Sequence, residues 1–149
     1  MTKHRQPARW KYLINGLVLL APVWFLYDRL TPAPLPAPWP EHRAGPVTAA
    51  PRPLDDGPPH RHDGMFVKDF RVRLCEGCAA RIRSAHLRAA PAPPTIPADA
   101  AGVLHGHGAA RHVHAPYPPQ PGADDRLWLT VQTWDGEVHH ASWPLPERP

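Results

Sequence analysis

Sulfur is scarce in this chain: of its 149 residues only two are cysteine, Cys75 and Cys78. A multi-disulfide scaffold and a Cys₄ zinc site are therefore excluded. The signatures of common catalytic machinery are missing as well, with no Gly-rich phosphate loop, no GxSxG and no HExxH. Charged residues make up only 20% of the chain, and long hydrophobic runs are limited to one, near the N-terminus. What is abundant is proline, at 23 residues, with 10 glycines beside it. Outside the apolar run and the proline tracts only about 60 residues are able to pack, a size at which buried area barely offsets chain entropy. A large enzyme core is excluded, and a module this small usually draws on a staple, a metal or a partner.

From Tyr12 to Tyr27 the sequence YLINGLVLLAPVWFLY carries no charge. As a helix it covers about 24 Å, short for a bilayer core, but Trp10 and Tyr12 at one end and Trp24 and Tyr27 at the other suit interfacial belts. The expectation is one uncleaved signal-anchor helix over 10–30. Lys3, Arg5, Arg9 and Lys11 precede the uncharged run, so residues 1–9 form a basic cytoplasmic tail and everything beyond the helix lies in the periplasm of a bacterial inner membrane. A cleaved signal peptide fits less well, because bulky residues and prolines follow the run.

Residues 31–61 are expected to be a spacer. Thr31 to Pro59 holds ten prolines, including the alternating TPAPLPAPWP, which favours extended polyproline II backbone. Residues 62–149 then form a small module with a His- and Pro-rich loop at 90–121. In Phe66 to Leu74, Phe70, Val72 and Leu74 alternate with Asp69, Arg71 and Arg73, the period of a strand with one covered face. The following AARIRSAHLRA places Cys78, Ile82, Ala85 and Ala89 at helical spacing, predicting a short amphipathic helix. RLWLTVQTW and EVHHASW flank Asp135-Gly136, a dipeptide favoured in two-residue type I′ hairpin turns. That turn sets Thr133 opposite Val138, Val131 opposite His140 and Trp128 opposite Trp143. Both hairpin faces are partly apolar, so a partner subunit or a docked proline-rich loop is needed to cover the second. The fold class expected is thus a single-pass anchor plus a small α+β extracytoplasmic module, with long proline-rich disordered or extended segments.

The chemistry concentrates in the cysteines and in 11 histidines. Cys75 and Cys78 form a CxxC at the strand-to-helix junction, compatible with a metal site, a structural disulfide or a redox-active dithiol. Histidines pair as His60 and His62, His105 and His107, and His112 and His114. In extended backbone each His-x-His projects two imidazoles to one side, a spacing that grips a borderline ion such as copper or zinc. His139 and His140 are adjacent and point to opposite faces. The candidate metal ligands are Cys75, Cys78, His105, His107, His112 and His114, with Cys₂His₂ as one possible set, although the spacing is not that of a zinc finger. A thioredoxin-like enzyme would need a βαβ framework that is not visible here.

The run FRVRLCEGCAARIRSAHL resembles the strand, CxxC and helix start of heavy-metal-associated copper-chaperone domains, which hold Cu(I) between two cysteines. The resemblance spans Phe70 to Leu87 only, and Arg73 and Leu74 replace the methionine and small residue usual before the first cysteine, so it is one of metal-loop geometry rather than membership. Nucleic acid is not an expected partner: the net charge of +4 lies largely in the N-terminal tail, and beyond residue 61 the two signs nearly balance. Two functions are expected. The first is a noncatalytic, inner-membrane-anchored metal-binding accessory protein for delivery, buffering or sensing. The second is an assembly subunit of an envelope complex, held to a protein partner and stapled by a structural CxxC disulfide.

Overall fold

Alternation of inward and outward side chains, rather than helical periodicity, organises most of this chain. The computed structural model describes residues 10–31, 34–97 and 99–146, with the side chains of 10–13 also left aside. The basic tail read above as cytoplasmic lies outside the described residues. The chain divides into two units, Met1–Pro34 and Leu35–Pro149.

The first unit holds helix α1 (Trp10–Leu30), the only α-helix among the described residues. It forms where the apolar run predicts, but among the described residues no helix is long and apolar enough to cross a membrane. Its described side chains run from Ile14 to Leu30, a stretch shorter than the about 20 residues that a bilayer core requires. The single-pass anchor, the inner-membrane placement and the cytoplasm-to-periplasm sidedness built on them are corrected accordingly.

The second unit is β rather than α+β. Among its described residues eight strands form two antiparallel sheets: β1 (His42–Ala44), β2 (Val47–Pro53), β3 (His60–His62), β4 (Met65–Leu74) and β6 (Ala110–Pro116) in one, and β5 (Ile82–Ala90), β7 (Arg126–Thr133) and β8 (Val138–Pro144) in the other. β4 is the hub of the first sheet, pairing β2 and β3 along one edge and β6 along the other. One buried cluster draws on both sheets, with Phe70, Val72 and Val113 from the first and Leu87, Leu129, Val131 and Trp143 from the second.

Three further sequence expectations change. The segment after the cysteines is a single 3₁₀ turn (Cys78–Arg81) followed by β5, not an amphipathic helix. Pairing to β7 along Ile82 to Ala90 satisfies its backbone and overrides a weak helical pattern. The proline-rich stretch is not a free spacer: β1 and β2 lie within it and bury Ala44, Val47 and Ala49 completely. Proline is tolerated in β2 because of parity. Thr48 and Leu54 direct their polar backbone groups toward β4, with Leu54 N–H donating to Asp69 O at 3.0 Å and Thr48 O accepting from Cys75 N–H at 3.0 Å. Pro51 and Pro53 occupy the intervening positions, where an amide would point away from β4.

The hairpin β7–β8 is present with its register shifted by one. Gln132 faces Val138, Thr130 faces His140 and Leu127 faces Trp143. Thr133 N–H bonds Glu137 O, leaving a three-residue loop with Gly136 at φ +91°. That is a turn followed by a left-handed bulge residue, a conformation glycine adopts without strain. Thr133 Oγ1 also donates to Asp135, holding that carboxyl below its ordinary range together with the Glu137 N–H. The shift gathers Leu127, Leu129, Val131, Ala141 and Trp143 onto the core face. On the opposite face Thr130 Oγ1 donates to Pro94 O at 3.4 Å and Trp128 Nε1 to Ala90 O at 3.0 Å, so a proline-rich loop of the same chain lies against it.

Candidate metal centre

Where the chain passes from one sheet to the other it carries the histidines. Residues 102–104 run beside β5, with Leu87 N–H donating to Gly102 O and Leu104 N–H to Ala85 O, both at 2.8 Å. The next residue, His105, exchanges two backbone hydrogen bonds with His112 at the start of β6, at 2.9 and 2.8 Å. Between them Gly106 and Gly108 take positive φ and let HGHGAARH fold back within eight residues. His105 is thereby fixed beside β6 rather than left in a mobile loop.

On β6 the period of two sends Val113 and Ala115 into the core and His112 and His114 outward. The ligand nitrogens of His105, His112 and His114 all lie within 4.8 Å of one another, a group that could hold a metal ion. Ring centroids are 4.7 Å apart for His112 and His114, 5.2 Å for His105 and His112, and 5.9 Å for His105 and His114. His105 is exposed and the other two are half-buried.

The surrounding acceptors decide which nitrogen is offered. Asp69 stands opposite His114 in the β4–β6 register, and its Oδ1 lies 2.5 Å from His114 Nδ1. A carboxylate accepts, so Nδ1 carries the hydrogen and, in the neutral ring, Nε2 keeps its lone pair. His105 Nδ1 lies 3.2 Å from the Val103 carbonyl oxygen, which makes the same assignment. An outer partner of this kind fixes tautomer and ring orientation in metal-binding histidines. His112 is held below its ordinary imidazole pKa, first by burial and then by the neighbouring His114, with Asp69 opposing the shift and His105 and Arg71 adding to it. The neutral ring, the form that ligates, is thus favoured at neutral pH.

Three of the four histidines named from sequence come together; His107, at the exposed loop tip, is not in the group. Cys75 and Cys78 are joined to each other as a disulfide, Cα–Cα 5.3 Å, so in this state neither offers a thiolate and no Cys₂His₂ set is assembled. The strand–CxxC–helix resemblance fails at its last element, since a strand follows. Three residues around the centre, Asp69, His62 and His60, are not in the predicted ligand set. Asp69 was visible as an outward residue of its strand, but its partner strand was hidden in what the sequence reads as loop. His62, recognised as half of a pair, stacks on His114 with centroids 4.7 Å apart and planes at 22°. His60 Nε2 lies 4.0 Å from Asp69 Oδ2. His139 and His140 serve elsewhere, near Glu137 and Thr130 respectively.

No curated protein and no solved structure matches this chain. A family model described as "Uncharacterised conserved protein UCP029505" matches residues 7–146, nearly the whole length. The chain belongs to that family.

Proposed function

We propose that the protein binds a copper or zinc ion through His105, His112 and His114 and acts as an accessory in metal delivery, buffering or sensing, with no catalytic step at that centre. One observation carries this reading: His114 and His105 each turn Nδ1 to an obligate acceptor, which leaves Nε2 to be offered in a group of three imidazoles that could hold an ion. Three imidazoles suit either metal, and thiolate is not needed. Three protein ligands would leave a bound ion able to take a further ligand from solvent or a partner, which would favour exchange over permanent storage. Because the ligands are held by strand pairing, little ordering cost falls on binding.

The test uses the purified full chain, incubated with Zn²⁺ or Cu²⁺, desalted and assayed for metal content. One equivalent is expected, lost in His114→Ala. Failure of either ion to remain on the wild-type chain would overturn the reading and leave a noncatalytic assembly role, with the cysteines as a staple, in its place.

A further inference from the structure

We propose that Cys75 and Cys78 form a redox couple, with Cys75 the sulfur that exchanges with external disulfides and Cys78 the resolving partner. This inference does not rest on metal binding. It comes from the unequal surroundings of the two sulfurs. Cys75 is partly exposed, whereas Cys78 is only 4% exposed. Thr48 N–H points at Cys75 Sγ at 3.1 Å, while Cys78 Sγ sits 3.7 Å from the Pro46 carbonyl oxygen, which also accepts from Arg81.

A donor beside one sulfur and an acceptor beside the other matter little to an oxidised pair, whose sulfurs carry neither a full charge nor a hydrogen. In the reduced pair they differ in kind. The Thr48 N–H stabilises a thiolate on Cys75, and the Pro46 oxygen accepts the S–H of a neutral Cys78. Access follows the same asymmetry. An open cleft of about 660 Å³ runs past Cys75 and is lined by Arg73, Glu76, Ala79, Gly108 and Arg111, with Arg73 also 3.9 Å from Glu41, so the charges there balance and the cleft supplies access rather than a positive field.

The exchange balances as follows. Cys75 thiolate attacks one sulfur of a small disulfide RS–SR′, forming Cys75–S–S–R and releasing R′S⁻, which takes up a proton. Cys78 then gives its proton to solvent and attacks Cys75 Sγ, re-forming the internal disulfide and releasing RS⁻. Two electrons pass from the dithiol to the external disulfide, and a dithiol reductant reverses the cycle.

The experiment uses the full chain, freed of metal by a chelator, reduced with dithiothreitol under native conditions and alkylated with iodoacetamide across a pH series, each cysteine being followed by peptide mass spectrometry. Cys75 should label at least about tenfold faster than Cys78, with a half-maximal rate below about pH 8.5, the ordinary thiol value. In parallel, Cys78→Ser incubated with oxidised glutathione should accumulate the Cys75 mixed disulfide, and Cys75→Ser should not trap one at Cys78. Equal labelling of the two thiols, a Cys75 midpoint at or above 8.5, or a disulfide that opens only in denaturant would each overturn the proposal. The wild-type labelling arm does not depend on either variant folding.

Discussion

Strands β4 and β6 present two faces built from the same residues in alternation, and the faces have opposite tasks. Phe70, Val72, Val113 and Ala115 point inward and are completely buried, while Asp69, Arg71, His112 and His114 point outward to form the centre. One backbone pairing therefore sets both the core and the site. Substitutions one residue apart should consequently separate stability from binding.

The largest effect is expected on the inner face. Phe70 packs edge-on against Trp39 at 5.6 Å and beside Tyr117 at 6.4 Å. Phe70→Ala removes a fully buried side chain on which Trp39 of the proline-rich stretch packs, and should cost about 3–5 kcal/mol. Urea denaturation read by tryptophan fluorescence would measure it, and metal retention should fall only because the fold is lost. A cost below about 1 kcal/mol would mean that this face is not the core.

On the outer face the balance should invert. His114→Ala is expected to weaken Zn²⁺ binding by more than about 100-fold, beyond the loss usual for an outer partner. The denaturation midpoint should move far less than in Phe70→Ala, because His114 is only half-buried and its loss opens no core cavity. Competition against a chromophoric chelator gives the first number and a urea titration the second. Asp69→Asn is a milder break of the same contrast. The amide keeps an acceptor for the His114 ring but loses the negative charge, and it can also turn an NH₂ donor toward Nδ1. A loss of about 10–100-fold is expected, with part of the His114 population shifting to the Nε2–H tautomer, visible in ¹⁵N spectra of the metal-free protein. An unchanged tautomer and unchanged affinity would remove Asp69 from the account.

What the sequence discloses follows the same division. The inner set of β4 is legible because period two needs only one strand to be seen. Pairings between strands are not legible in that way. The β7–β8 turn is marked by Asp135-Gly136, yet the loop closes at Thr133 and Glu137, so every facing pair moves by one. Prolines at alternate positions hide β2, since a residue count does not tell which amides are needed. Flanking prolines and glycines likewise make β6 read as loop, so His112 and His114 are found by spacing, while His105 joins them through a bridge that spacing cannot reveal. An apolar run is legible as a helix but not, by that fact, as a membrane span.

The smallest expected effect is a pH dependence that belongs to one ring. In the unfolded chain His112 takes up a proton near its ordinary value of 6.5, whereas in the folded protein it does so only at lower pH. Between those two values the unfolded state binds more protons, so unfolding free energy rises with pH there. This contribution is fully present above the unfolded value and is lost as pH falls through the folded one. Burial of the ring is the largest cause; His114, His105 and Arg71 push in the same direction, and Asp69 pushes against them. In the metal-free protein His112→Asn should therefore flatten the stability profile on the acid side of 6.5 while leaving it nearly unchanged above. Asp69→Asn, which removes the only opposing charge, should steepen it. If both variants gave the wild-type slope, the outer face would be electrostatically idle, and the contrast between the two faces would rest on ligand geometry alone.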